Sequence, residues 1–237
     1  MAQSHIHTEA DLDAGLRALG LTDPRFAELI SEAGRPPLRR RPDGFAGLAA
    51  IVVAQQLSTA SANAIWGRLA ASFDPLDPAA ILRARPARLA RLGLSRPKIR
   101  ALKKIARAVE RGELALAALG EAAAEEAHTA LTAVHGIGPW TADIYLLSCL
   151  GHADAWPAGD LALQEAARIA FGLKTRPTAK KLQAMAEPWR PWRAVAARIL
   201  WSYYRAVASA KSVRSKGRPV RRRKPVHKKK RTTRSRA

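Results

Sequence analysis

The chain has a single cysteine, Cys149, among 237 residues. One thiol closes no disulfide within the chain and builds no iron–sulfur cluster or thiolate zinc site, so a reducing cytoplasm is the expected compartment. Long apolar runs are also missing. None approaches the roughly 20 residues of a membrane span, and the N-terminus MAQSHIHTEADLD is too polar and acidic for a signal peptide. No stretch of alternating β-branched residues marks a strand. Of the six histidines only His5 and His7 form a close pair, in a polar N-terminal stretch where a surface role outweighs metal binding. Acidic residues are scarce: 19 face 41 basic ones, a net charge of +22. Such an excess concentrates a protein on polyanions, and nucleic acid is the expected partner.

What is present reads as helix. The hydrophobic share is 48%, enough for a substantial core in one domain or two small lobes. From Thr8 to Ala208 alanine, leucine and arginine dominate, which predicts an all-α fold. Caps and early prolines place helix starts near Thr8, Asp23, Asp43, Ser58, Pro78, Arg96, Glu121, Pro139, Asp160, Thr178 and Pro191. The charge is uneven. Residues 211–237 hold 14 of the 41 basic residues and no acidic one, leaving 27 against 19 in the rest. This segment lacks apolar periodicity and repels itself, which predicts disorder when free. It reads as a tether to the DNA backbone, a solubility tail or another polyanion-binding segment.

Two strings carry chemistry. In LTAVHGIGPWTADIYLLSCL, residues 131–150, a helix end meets Gly136-Ile137-Gly138 and then a helix led by Pro139. Proline suits the first helical position, and the free amides behind it, with the helix dipole, can take a phosphate oxygen. An ordinary turn between packed helices is the alternative. In WPAGDLALQEAARIAFGL, Pro157 and Gly159 end one structure and Asp160 opens an amphipathic helix. Capping is the common role of such an aspartate. The other is an ionised carboxylate facing a cleft, where it stabilises positive charge on a sugar during glycosidic cleavage.

VHGIGPWTA followed by PAGDLAL, with Trp140 and Asp160 twenty positions apart, resembles the signature of the helix-hairpin-helix (HhH-GPD) DNA glycosylases. Within that superfamily the chain is similar to the 3-methyladenine DNA glycosylase II branch, over roughly residues 23–204. The resemblance implies two helical lobes flanking a cleft, in a compact form without an N-terminal β domain. One lobe is residues 1–57 plus 175–210; the other is 58–174, with the hairpin and catalytic Asp160. The implied activity is a monomeric, monofunctional enzyme acting at nucleoid DNA in the bacterial cytoplasm. It flips alkylated bases such as 3-methyladenine or 7-methylguanine out of the duplex and excises them. By the same resemblance Gln56 fills the gap in the duplex, Trp140 and Trp189 line the base pocket, and Gly136, Ile137, Gly138 and Thr141 bind phosphate. Backbone carbonyls of Thr132, Val134 and Ile137 would hold a monovalent cation, Na+ or K+, with no other cofactor required and no iron–sulfur cluster. Trp156, Trp192 and Trp201 are assigned to the core or the cleft wall. Members that also cut the backbone carry a lysine where this chain has Trp140, so no Schiff base forms there. Leu161 stands where an aromatic can line the pocket. The competing readings are a non-catalytic DNA-binding, damage-sensing protein and a bifunctional glycosylase/lyase.

Overall fold

The computed structural model describes residues 5–216. Among them the fold is all-α, with twelve α-helices and no strand beyond an isolated bridge between His5 and His152. In chain order these are α1 (Glu9–Thr22), α2 (Arg25–Ala33), α3 (Gly44–Ala54), α4 (Thr59–Ser72), α5 (Pro78–Arg83), α6 (Pro86–Arg91), α7 (Arg96–Glu110), α8 (Ala124–Ala133), α9 (Pro139–Tyr145), α10 (Leu161–Ala170), α11 (Ala179–Met185) and α12 (Arg193–Lys216).

Side-chain caps explain five of the twelve starts. Thr8 and Asp11 form a capping box, and Ser58, Asp77, Asp160 and Thr178 each accept the backbone N–H three residues on. Three features differ from expectation. Helix α6 is additional, a six-residue element led by Pro86 with no side-chain cap. Helix α8 opens at Ala124 rather than Glu121, after a 3-10 turn over Leu116–Gly120. Helix α12 opens at Arg193 rather than Pro191, after another such turn over Glu187–Trp189.

The helices pack in two groups that differ from the expected lobes. Helix α3, GFAGLAAIVVA, has no polar face, so it must be enclosed, and α4, α7 and α9 surround it. Helix α10 turns its apolar Leu163, Ala166 and Ala167 inward and packs on α12, which also gathers α1 and α2. Thus α3 belongs with residues 58–150, and α10 with the N- and C-terminal helices. One continuous hydrophobic cluster runs through both groups. The tail boundary moves as well: α12 continues to Lys216, past the expected start of the tail at 211, and residues 217–237 lie outside the described residues.

Beyond α9 the chain makes one π-helical turn, Leu146–Leu150. A helix end leaves carbonyls without intrahelical partners. Here arginines answer two of them: buried Arg198 of α12 donates to the Leu147 carbonyl, besides those of Ala194 and Leu38 outside this turn, and Arg40 donates to that of Cys149. Burial, reinforced by nearby Arg40, pulls Arg198 down to about 10, so it stays charged at neutral pH. The hairpin's second helix is thereby tied to α12 and to the loop before α3.

Candidate active site

The chain turns from α8 into α9 over residues 134–138, closed by the Ile137 N–H donating to the Val134 carbonyl at 3.0 Å. Gly136 has φ +106, and a Cβ there would lie 3.0 Å from the Ala101 side chain of α7. The missing side chain lets the hairpin seat on α7. Gly138 is different. Its φ of −88 suits any residue, and a Cβ would meet nothing within 4 Å. That space opens in front of α9, whose first turn has no capping side chain and leaves the Trp140 and Thr141 amides without helical acceptors. The side chains of Thr141 and Ile137 are buried, so only their backbone can face a phosphate. The Thr141 hydroxyl instead accepts from Gln55 Nε2 at 2.8 Å.

Asp160 sits where α9, α10 and α12 converge. Its Oδ1 accepts the Leu163 N–H at 2.7 Å and the Trp201 indole N–H at 3.1 Å, while Oδ2 accepts the Trp140 indole N–H at 2.8 Å. One carboxylate therefore caps α10 and also accepts two indole N–H groups. The preceding loop is held by the Gln164 amide donating to the Ala158 carbonyl, and by the Asp160 N–H donating to that of Pro157. Leu161, next in sequence, is 62% exposed.

Trp189 lies elsewhere. It is 2% exposed, set edge-on against Phe26 and Trp156 and tilted on Phe171, with its N–H on Asp23 Oδ2 at 3.0 Å. No face of the ring is open to a base, so its expected place in the pocket gives way to a core role. The indole that does reach the carboxylate from this region is Trp201, eight residues into α12 and expected in the core or the cleft wall. No local spacing ties it to Asp160; only the packing of α10 on α12 does.

Gln56 ends α3 in the left-handed region, φ +54, with its side chain exposed. Lys98 of α7 holds this turn, its Nζ donating to the carbonyls of Val53 at 2.6 Å and Gln55 at 2.9 Å. Partial burial lowers the amine's pKa. Gln56, Lys98, Arg100, His135 and Gly136 line a common cleft of about 340 Å3. Contacts therefore run from Lys98 through Gln55 to Thr141, and from the adjacent Trp140 to Asp160 and Trp201. Sequence reasoning missed Gln55 and Lys98 as well as Trp201, because each acts through a partner far away in the chain.

On the far side of α9, His128 Nε2 of α8 lies 3.4 Å from Asp143 Oδ1. Burial raises the Asp143 carboxyl to about 7, against the opposing pull of Arg193. Among the described residues no group of three or more His, Cys, Asp or Glu could hold a metal ion, and no helix is long and apolar enough to cross a membrane.

An uncapped helix start behind a glycine hairpin, and a carboxylate held by two indole N–H groups, are what the fold places at this site. The chain belongs to the HhH-GPD superfamily of base excision DNA repair proteins, whose family model matches residues 49–191. It is similar to the 3-methyladenine DNA glycosylase Mag1 of Schizosaccharomyces pombe, solved in complex with abasic DNA: TM-score 0.74, 28% identity, covering 79% of this chain and 95% of that one. The DNA-3-methyladenine glycosidase of Bacillus halodurans superposes with TM-score 0.71 and 29% identity, over 88% and 95%. A probable bifunctional transcriptional activator/DNA repair enzyme AlkA of Mycobacterium tuberculosis is 32% identical over 82% of this chain, which spans only 40% of that longer protein.

Proposed function

We propose that this protein is a monofunctional DNA glycosylase that hydrolytically removes alkylated bases, of the 3-methyladenine and 7-methylguanine kind, from duplex DNA. The observation that carries the reading is the Asp160 carboxylate, held by two indole N–H groups and a helix N-terminus. The hairpin backbone from Gly136 to Thr141 takes a phosphate and gives no sequence preference. Gln56 enters the duplex as the damaged nucleotide leaves it. The extruded base stacks on Trp140, whose indole favours an electron-poor alkylated ring.

The C1′–N bond then breaks and its electron pair departs with the base. An alkylated purine that already carries positive charge leaves neutral, which lessens the need for a general acid. Positive charge develops on the sugar, and Asp160 stabilises it electrostatically. Both carboxylate oxygens already accept hydrogen bonds, which suits a fixed anion better than a proton acceptor. Water adds at C1′, releases its proton to the surrounding solvent, and leaves an abasic site. Trp140 provides no amine for a Schiff base, so the backbone stays intact. Exposed Leu161 offers the base an apolar contact in place of a second ring.

No cofactor takes part in these steps. Carbonyl oxygens at Thr132, Val134 and Ile137 are donors suited to a Na+ or K+ ion, and the Val134 carbonyl keeps one lone pair beyond its bond to Ile137. Such an ion would stiffen the hairpin and add positive charge near the phosphate. The same reading makes the protein a monomer at nucleoid DNA in the cytoplasm, its basic C-terminus on the DNA backbone.

The test is chromatography of bases released from methylated genomic DNA by wild type and Asp160→Asn. Losing the charge while keeping the shape should slow release by about 10²–10³-fold, the scale of losing a preorganised electrostatic contact. Near-equal rates would overturn the assignment, and borohydride trapping of a covalent DNA adduct would overturn the monofunctional reading.

A further inference from the structure

Helix α7 carries a row of cations that the hairpin does not account for. Arg100, Lys104 and Arg107 follow one another at four and three residues, the spacing that places side chains on one face of a helix. All three are exposed, and none pairs with a carboxylate among the described residues. Some other arginines are already engaged: Arg25, Arg35, Arg168, Arg190 and Arg193 are each held by an aspartate or glutamate. An isolated row of this kind would be an ordinary solvated face. Its setting argues for more.

Hairpin and α7 are in direct contact where Gly136 seats on Ala101. Arg100 shares a cleft with Gln56, His135 and Gly136. Lys104 and Arg107 share the next cleft with Val134 and His135, where Glu113 is the only acidic residue in the lining. The row therefore starts at the turn that carries Gln56 and runs alongside the hairpin as one continuous surface. From Arg100 to Arg107 the helix rises about 10 Å. On one DNA strand phosphates succeed each other by about 3.4 Å of axial rise, so three cations over that length match about three phosphates.

We infer that the Arg100–Lys104–Arg107 edge of α7 is a second DNA-backbone contact, which extends the duplex footprint beyond the phosphate taken by the hairpin. The inference rests on the DNA-binding side of the proposed function and not on its chemistry. The row reads no sequence, because guanidinium and ammonium groups on phosphates position a duplex without touching base edges. Its contribution is affinity and its salt dependence, since each neutralised phosphate releases condensed counterions.

The experiment is equilibrium binding of the full chain to a short undamaged duplex between roughly 50 and 200 mM salt. The Arg100→Gln/Lys104→Gln/Arg107→Gln variant is compared with a charge-matched Lys174→Gln/Lys180→Gln/Lys181→Gln variant, altered at exposed lysines on and just before α11. The α7 variant should lower the slope of log affinity against log salt by about 2–3, at about 0.9 per phosphate contact. Lys104→Gln alone should lower it by about one, which gives a readout if the triple variant folds poorly, and the α11 variant should keep the wild-type slope. An unchanged slope in the α7 variants, or an equal drop in the α11 variant, would overturn the inference. Undamaged duplex isolates this result from base release, so failure of the glycosylase assignment would show in the excision assay and not here.

Discussion

Both oxygens of Asp160 are occupied by donors from three helices, so the carboxylate is held in one orientation. Hydrogen bonds to a charged group contribute about 1.5–3 kcal/mol. Trp201→Phe removes one such N–H and keeps the ring. Single-turnover excision by this variant should fall by about 10–100-fold, with the melting temperature within a few degrees of wild type. Trp140→Phe should show a similar fall, plus weaker discrimination for alkylated bases if the indole stacks on them. Trp189→Ala should do the opposite. Emptying a buried aromatic site costs about 3–5 kcal/mol, and the loss should appear in thermal unfolding before it appears in the rate. Asp160 was legible in the sequence because Pro157 and Gly159 stop the preceding structure and an amphipathic pattern starts behind it. The Trp201 contact was not. Forty-one residues separate the pair, and no period of helix or strand spans that interval.

The hairpin works as an element, and its two glycines have separate tasks. Gly136→Ala puts a Cβ at positive φ and against α7, so it should destabilise the fold by about 1–3 kcal/mol, measured by denaturant unfolding. Gly138→Ala meets open space and an ordinary φ, so stability should hold while affinity for duplex DNA drops, because the added methyl occupies the approach to the α9 amides. Behind the hairpin, Asp143 braces α9 against α8. Its native pKa is raised to about 7 by burial, above the value of an unfolded aspartate, so the folded state keeps this proton longer. The group therefore favours folding at low pH. That contribution is lost as pH rises from about 4, where the unfolded carboxyl ionises, to about 7, where the buried one does. Asp143→Asn stays neutral throughout. Its melting temperature relative to wild type should climb between pH 4 and 7 and then level off, and a pH-independent difference would contradict the assignment. Helix starts were legible wherever a side chain does the capping, as at Thr8, Ser58 and Thr178. Helix α6 was hidden because six residues are too few for an apolar period and Arg85 supplies no cap bond.

At the scale of the molecule, α3 and α10 exchanged sides relative to the division expected from chain position. A wholly apolar helix such as α3 goes where it can be surrounded, and α10 goes where its single apolar face finds a partner. Neither choice depends on order along the chain. The swap puts Asp160 at the seam: its helix packs with the terminal helices, and Trp140 reaches it from the hairpin group. The charge is distributed at this scale too. Residues 217–237 add 11 Lys or Arg and no acid to a body that is already basic. Truncation after Lys216 should weaken binding to undamaged duplex and flatten its salt dependence, leaving the excision rate on saturated enzyme within about twofold, because counterion release concerns binding and not the bond that breaks. Loss of the chemical step in the truncated chain would refute this division of labour.

The two indoles on Asp160 also give the protein an optical reporter of its own. Of six tryptophans, Trp156 and Trp189 are sealed in the core, whereas Trp140 and Trp201 are half-exposed and end on the same anion. On the proposed function, an arriving nucleobase changes the surroundings of that pair. Intrinsic emission can thus follow base capture in real time without a label, and the Trp140→Phe and Trp201→Phe variants separate this pair's contribution from that of the other four tryptophans.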